Sequence, residues 1–170
     1  MLEYFDEAIV LKKEPINEAD YLVSVFTKNF GKVLVKAKSA QKITSKLSAH
    51  LEPGNLIQIR LIEKNSAQVI EAFKISRLAL KIADLEKLNL VLAENQPDEN
   101  LWQILNEKNI SWQKALKILG WDPAVSRCHH CGQNNVRFFS INDQIFLCQK
   151  CSLNFSSSDW LKFVDFQTPL

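Results

Sequence analysis

The amino-acid sequence predicts an α+β chain: an N-terminal five-stranded β-barrel, a small helical domain, and an inserted four-cysteine module. Three observations carry this. Hydrophobic residues alternate with period 2 over the first 76 residues, the period turns helical from Arg77, and all four cysteines fall between positions 128 and 151. The segments implied are 1–76, 77–127 and 128–170, the last expected to end in a C-terminal helix.

The strands read in order. Glu7–Lys13 is short and β-branched, and Pro15 with Asn17-Glu18 ends it. Asp20–Lys28 follows, then a tight turn at Asn29-Phe30-Gly31, where Gly31 takes φ > 0 without penalty. In Gly31–Lys38, Val33, Val35 and Ala37 occupy one face, and Lys32, Leu34, Lys36 and Lys38 the other. Thr44–Leu51 is helix-prone, and Pro53-Gly54 turns the chain. Asn55–Ile62 and Gln68–Ile75 complete five strands, separated by a turn at Asn65-Ser66. Five strands with a helix-prone insertion between the third and fourth suit an OB-type barrel, although a small sandwich or SH3-like barrel shares much of the pattern.

Leu78, Ile82, Leu85, Leu88 and Leu92 then fall at helical spacing, as far as Gln96-Pro97-Asp98. Asp98 is placed to cap a helix over Glu99–Asn106, and Ser111 one over Ser111–Leu119 that stops at Gly120. Trp102, Trp112 and Trp121 read as packing residues between helices and barrel, or alternatively as the walls of a groove for a partner peptide.

Charge is unevenly spread. The net +2 arises in the first 76 residues, since seven basic residues meet seven acids from Arg77 to Arg127 and three meet three thereafter. No acid occurs from Tyr21 to Leu51, a window that holds Lys28, Lys32, Lys36, Lys38, Lys42 and Lys46. A cationic strand face running into a lysine-bearing loop suits a polyanion. Lysines on outer strand faces also serve simply to keep a sheet soluble.

Cys128-His129-His130-Cys131 and Cys148-Gln149-Lys150-Cys151 are two CxxC knuckles sixteen residues apart. Paired CxxC turns supply the four thiolates of a tetrahedral zinc site, and four thiolates leave no open position, so a structural Zn2+ is expected at Cys128, Cys131, Cys148 and Cys151. Apolar Phe138, Phe139, Ile145 and Phe146 suggest a β-hairpin between the knuckles, and His129 and His130 read as solvent-facing knuckle residues or, in principle, as ligands in place of a cysteine. Four glycines in the whole chain exclude phosphate-binding glycine loops, and no HExxH or paired-carboxylate set is present, so no enzyme is indicated. His50 reads as a packing or capping histidine. No apolar run is long enough for a membrane helix, and the acids in MLEYFDEAIV speak against a secretion signal.

The order of parts, with AIVLKK (Ala8–Lys13), EADYLVSVFTKNFGKVLVKAKSAQK (Glu18–Lys42) and LKILGWDPAVSRCHHCG (Leu116–Gly132), resembles the bacterial RecO family of recombination mediators. The resemblance implies a cytoplasmic, nucleoid-associated, non-enzymatic protein. It would bind single- and double-stranded DNA, anneal strands, and help load recombinase with RecR and single-strand-binding protein, whose tail could dock by the Trp102 and Trp112 helices. Lys32, Lys36, Lys38, Lys42 and Lys46 are the expected phosphate contacts. The family carries glycine where Ser39 stands, so a differently bent loop is expected there. The helical middle is short and the helices that follow the zinc module in the family are nearly absent after Trp160, so the chain reads as a reduced or truncated member. The rivals are a protein-interaction adaptor and a zinc-ribbon factor for RNA or transcription.

Overall fold

A computed structural model describes residues 2–107, 110–154 and 160–162. The chain divides into two compact units, Met1–Asn109 and Ile110–Leu170. The helical segment expected to stand alone is shared between them.

In the first unit β1 (Leu2–Pro15), β2 (Tyr21–Thr27), β3 (Gly31–Ala37), β4 (Asn55–Glu63) and β5 (Ala67–Arg77) close into a barrel in the order β1-β2-β3-β5-β4, the OB-type arrangement. β1 is twice the length read from sequence because it serves two neighbours. Leu2–Ile9 pairs with β4, and Ala8–Pro15 pairs with β2. A register shift between Val10 and Lys12 lets the strand bend from one partner to the other. A parallel pairing of β3 with β5, at Lys36 and Gln68, completes closure.

The interior holds Ala8, Val10, Val23, Val25, Val35, Ala37, Ile57, Ile59, Leu61 and Val69, in keeping with the period-2 reading. The run Ala8–Leu11 breaks alternation because β1 is covered on both sides here. Ile9 and Leu11, outside the barrel interior, are as buried as Ala8 and Val10, and α2 (Ile82–Val91) packs on this strand. A one-turn helix α1 (Leu47–His50), shorter than expected, places Leu47 and Leu51 on the barrel core. His50 packs rather than caps a helix: its ring lies 6.1 Å from that of Phe73, and its Nδ1 accepts from the amide of Lys74 on β5 at 3.1 Å.

The helical reading from Arg77 needs correction. β5 continues to Arg77, and the Leu78 amide donates to Gly54 O at 2.9 Å, so the helix begins only at Ile82. Leu85, Leu88 and Val91 form its buried face, whereas Ile82 is exposed. The helix stops at Val91 because the chain then turns extended to pair with β3: Glu94 bridges Lys32, and the Asn95 amide donates to Lys32 O at 2.9 Å. Gly31 (φ 74) lies beneath this crossing, where a Cβ would sit 2.5 Å from the Gln96 backbone nitrogen and oxygen. Asp98 caps α3 (Glu99–Leu105) through the Leu101 amide at 2.9 Å. Trp102 of α3 is buried, its ring 6.1 Å from that of Phe26 on β2, which makes it a packing residue and removes it as the wall of a peptide groove.

In the second unit Ser111 caps α4 (Trp112–Ile118), and Gly120 takes φ 94 behind it. β6 (Val136–Ser140) and β7 (Ile145–Cys148) form the expected hairpin, α5 (Gln149–Ser152) follows, and β8 (Trp160–Lys162) adds to β6. Trp121 packs on Phe139, ring centroids 5.2 Å apart. The predicted C-terminal helix lies outside the described residues.

Candidate nucleic-acid interface and metal centre

The five lysines singled out from sequence lie on one strand and the loop behind it, but they are not equivalent. Lys32 and Lys36 share the outer face of β3, whose partners across β2 are Phe26 and Leu22. At the Lys32 end that face is covered: Phe26 is fully buried, and Lys32 Nζ donates to Asn89 O of α2 at 3.0 Å. Lys36 pairs with Asp20 at 3.0 Å. The acid-free window is therefore answered by an acid one residue outside it. Lys38, Lys42 and Lys46 are exposed and make no ion pair or side-chain hydrogen bond among the described residues.

Asp20 also organises the loop. Its carboxylate accepts from the Ser39 amide at 2.8 Å and from Asn17 Nδ2 at 3.1 Å. The Ser39 amide, Asn17 and Lys36 together bring the carboxyl down to about 2. Gln41 ties the loop to the strand before it, donating from its amide to Ala19 O at 2.9 Å and from Nε2 to Asp20 O at 2.8 Å. Ala40 between them is fully buried. Ser39 takes φ 55, the left-handed conformation that a glycine adopts freely and an L-residue only at a cost. Sequence alone did not give Asp20 and Gln41 this role, since their partners are main-chain groups on a loop whose path was unknown.

Asp6 performs the corresponding task at the β2–β3 turn. Its buried carboxylate accepts from the Asn29 amide at 2.8 Å and from Asn29 Nδ2 at 2.7 Å. Thr27 Oγ1 accepts from the Phe30 amide at 3.1 Å and donates to Gly31 O at 3.0 Å.

The two most exposed aromatics of the barrel lie elsewhere. Phe5 and Phe73 are 61% and 59% exposed and line a shallow depression on β1, β4 and β5 with Gln58, Ile59, Arg60 and Glu71. Arg60 lies over the Phe5 ring at 5.4 Å and pairs with Glu3 at 2.5 Å and Glu71 at 3.6 Å. Alternation gave no warning of this, since Asp6, two residues from Tyr4 on the same face, is a buried acid.

The four thiols come together as expected. Their sulfurs lie within 4.8 Å of one another, with Cys131 and Cys148 Sγ 3.7 Å apart. Tetrahedral coordination at about 2.3 Å puts sulfurs about 3.8 Å apart, so the set fits a single metal ion. The backbone shapes each knuckle: the Gly132 amide donates to Cys128 O and the Cys128 amide to Gln133 O, both at 2.8 Å. The His129 amide donates to Phe146 O at 2.8 Å and so joins the first knuckle to the hairpin. Burial pushes the Cys128 thiol up, but hydrogen bonds from the backbone of Cys148, Cys131 and His130 outweigh it and bring it to about 6. Burial and three neighbouring sulfurs push Cys151 up to about 12. Without a cation four thiolates this close repel one another, and a divalent ion reverses that balance. His129 and His130 are exposed and stand outside the sulfur set.

These features define an OB-type barrel protein with a module of four clustered cysteines that could hold a metal ion. Residues 1–78 match the family model described as "Recombination protein O N terminal". The DNA repair protein RecO of Thermodesulfovibrio yellowstonii is 32% identical over 183 residues, covering 92% of this chain and 73% of that protein. The DNA repair protein RecO of Bacillus pumilus is 30% identical, covering 85% and 67%, and that of Acetivibrio thermocellus 29%, covering 86% and 69%. The chain belongs to the RecO family, and its role is in DNA repair and recombination. No helix among the described residues is long and apolar enough to cross a membrane.

Proposed function

We propose that this protein is a non-enzymatic DNA repair and recombination mediator. It binds single- and double-stranded DNA, promotes annealing of complementary strands, and helps load recombinase with RecR and single-strand-binding protein in the cytoplasm, at the nucleoid. The observation that carries the reading is the loop of Lys38, Lys42 and Lys46: three exposed lysines on a base fixed by Asp20, Gln41 and buried Ala40. Loose ammonium groups on a fixed loop track a phosphate backbone without reading sequence. Lys36 adds to the patch where phosphate displaces its Asp20 partner, while Lys32 acts chiefly in holding α2. Annealing follows if the loop screens two backbones and leaves base edges free to pair.

Cys128, Cys131, Cys148 and Cys151 would hold zinc as a structural ion that fixes both knuckles to the hairpin. The test is a fluorescence annealing assay with complementary oligonucleotides. Lys38→Glu with Lys42→Glu and Lys46→Glu is expected to abolish acceleration while the far-UV spectrum stays unchanged. Unaltered annealing would sink the reading.

One observation favours an additional adaptor role. The depression between Phe5 and Phe73 carries Glu3 and Glu71 around a neutralised Arg60, which suits a protein surface better than a phosphate backbone.

A further inference from the structure

Ile43 is fully exposed (105%), the most exposed large hydrophobic among the described residues. The Ser45 amide donates to Lys42 O at 2.8 Å, closing a turn over residues 42–45 with Ile43 at its first corner. The chain just before this turn is held by the Ser39–Asp20 and Gln41–Ala19 bonds and by buried Ala40. Lys42 precedes Ile43 and Lys46 follows it by three residues, both exposed. A branched apolar side chain is thus presented by a braced turn between two loose cations, in a segment without acids.

A polyanion held by Lys42 and Lys46 lies beside the turn that carries Ile43 between them. The extended apolar surfaces that nucleic acid offers are base faces, which are stacked away in a duplex and accessible in a single strand. Resting on the lysine-loop reading, we propose that Ile43 is an apolar wedge that packs against unstacked bases and gives this loop a preference for single-stranded over double-stranded DNA. The same side chain would oppose restacking of a bound strand, keeping its bases available to a complement. A basic loop with an apolar tip also suits an anionic membrane surface. One isoleucine buries too little apolar area for lasting insertion, however, and the family role lies with DNA.

The experiment titrates wild type, Ile43→Ala and the double variant Lys42→Gln/Lys46→Gln against a labelled single-stranded oligonucleotide and its duplex at several salt concentrations. A 2-aminopurine oligonucleotide reports unstacking. Ile43→Ala is expected to weaken single-strand binding about fivefold, from lost apolar burial, with less than a twofold change on the duplex and the same salt slope. Wild type is expected to raise 2-aminopurine fluorescence, and Ile43→Ala is not. A lysine variant with reduced slope beside an Ile43→Ala variant that binds and unstacks like wild type would overturn the wedge alone. An unchanged slope in the lysine variant would overturn the lysine-loop reading beneath it. Phosphatidylglycerol vesicles that bind wild type and not Ile43→Ala, with both oligonucleotides indifferent to the substitution, would overturn the proposal in favour of a lipid surface. Ile43 is fully exposed, so matching melting curves will establish that both proteins are folded.

Discussion

Replacing Gly31 by alanine separates two reasons for a glycine, because Gly54 in the same unit offers the matching control. Gly31 and Gly54 both have positive φ, 74° and 88°. An added Cβ at Gly54 meets Leu85 Cδ1 at 3.4 Å, an ordinary contact, whereas at Gly31 it falls 2.5 Å from the Gln96 backbone. The left-handed conformation costs an L-residue about 1–2 kcal/mol, offset by about 0.4–1 kcal/mol from a stiffer unfolded chain. Gly54→Ala should therefore lose about 1 kcal/mol. At Gly31 the 94–96 segment must also retreat, losing the Asn95–Lys32 hydrogen bond, worth about 1 kcal/mol, and straining the chain that leads into α3. Gly31→Ala should lose about 3 kcal/mol in all, once a further 1 kcal/mol or so of overpacking is included. Urea unfolding followed by tryptophan fluorescence, to which Trp102 contributes, measures both. Equal losses for the two variants would refute the close crossing over the β2–β3 turn.

Other expectations follow from the same contacts. Asp6→Ala strands the Asn29 amide and side chain at a buried turn and should cost about 2–3 kcal/mol by the same unfolding assay. The folded Asp20 carboxyl titrates at about 2, below its ordinary 3.8, so its contribution is fully present above about pH 4 and is lost as pH falls toward 2. The stability gap between wild type and Asp20→Asn should accordingly close over that window, and proteolysis of the 38–46 loop should be faster in the variant at neutral pH. Metal analysis should find one zinc per chain, lost from Cys128→Ser/Cys148→Ser together with the near-UV signal of Trp121 against Phe139.

The barrel was legible because period 2 is a local property: Val33, Val35 and Ala37 had to face one way whatever they packed on. The thiol cluster was legible for a similar reason, since each CxxC turn brings two thiols together with no help from the rest of the chain. Long-range partnerships were hidden. The extension of β1 to Leu2 reflects its pairing with β4, some fifty residues distant, and the late start of α2 reflects the bond from Leu78 to Gly54. Charge counting could not rank the lysines, because the helix carbonyl that holds Lys32 and the aspartate that pairs with Lys36 both lie outside the window. Ile43 carries no signal in the sequence, because only its exposure sets it apart from the other apolar residues.

The most direct test of the account is the salt dependence of single-strand binding in wild type, in Lys38→Gln/Lys42→Gln/Lys46→Gln and in Lys32→Gln. Each phosphate contact contributes about 0.7 to the slope of log affinity against log salt, so the triple variant should be shallower by about 2. Lys32→Gln should keep the wild-type slope and unfold more readily, because it loses the bond to α2. A triple variant with the wild-type slope, or a Lys32 variant with a reduced one, would contradict the assignment of DNA binding to the loop.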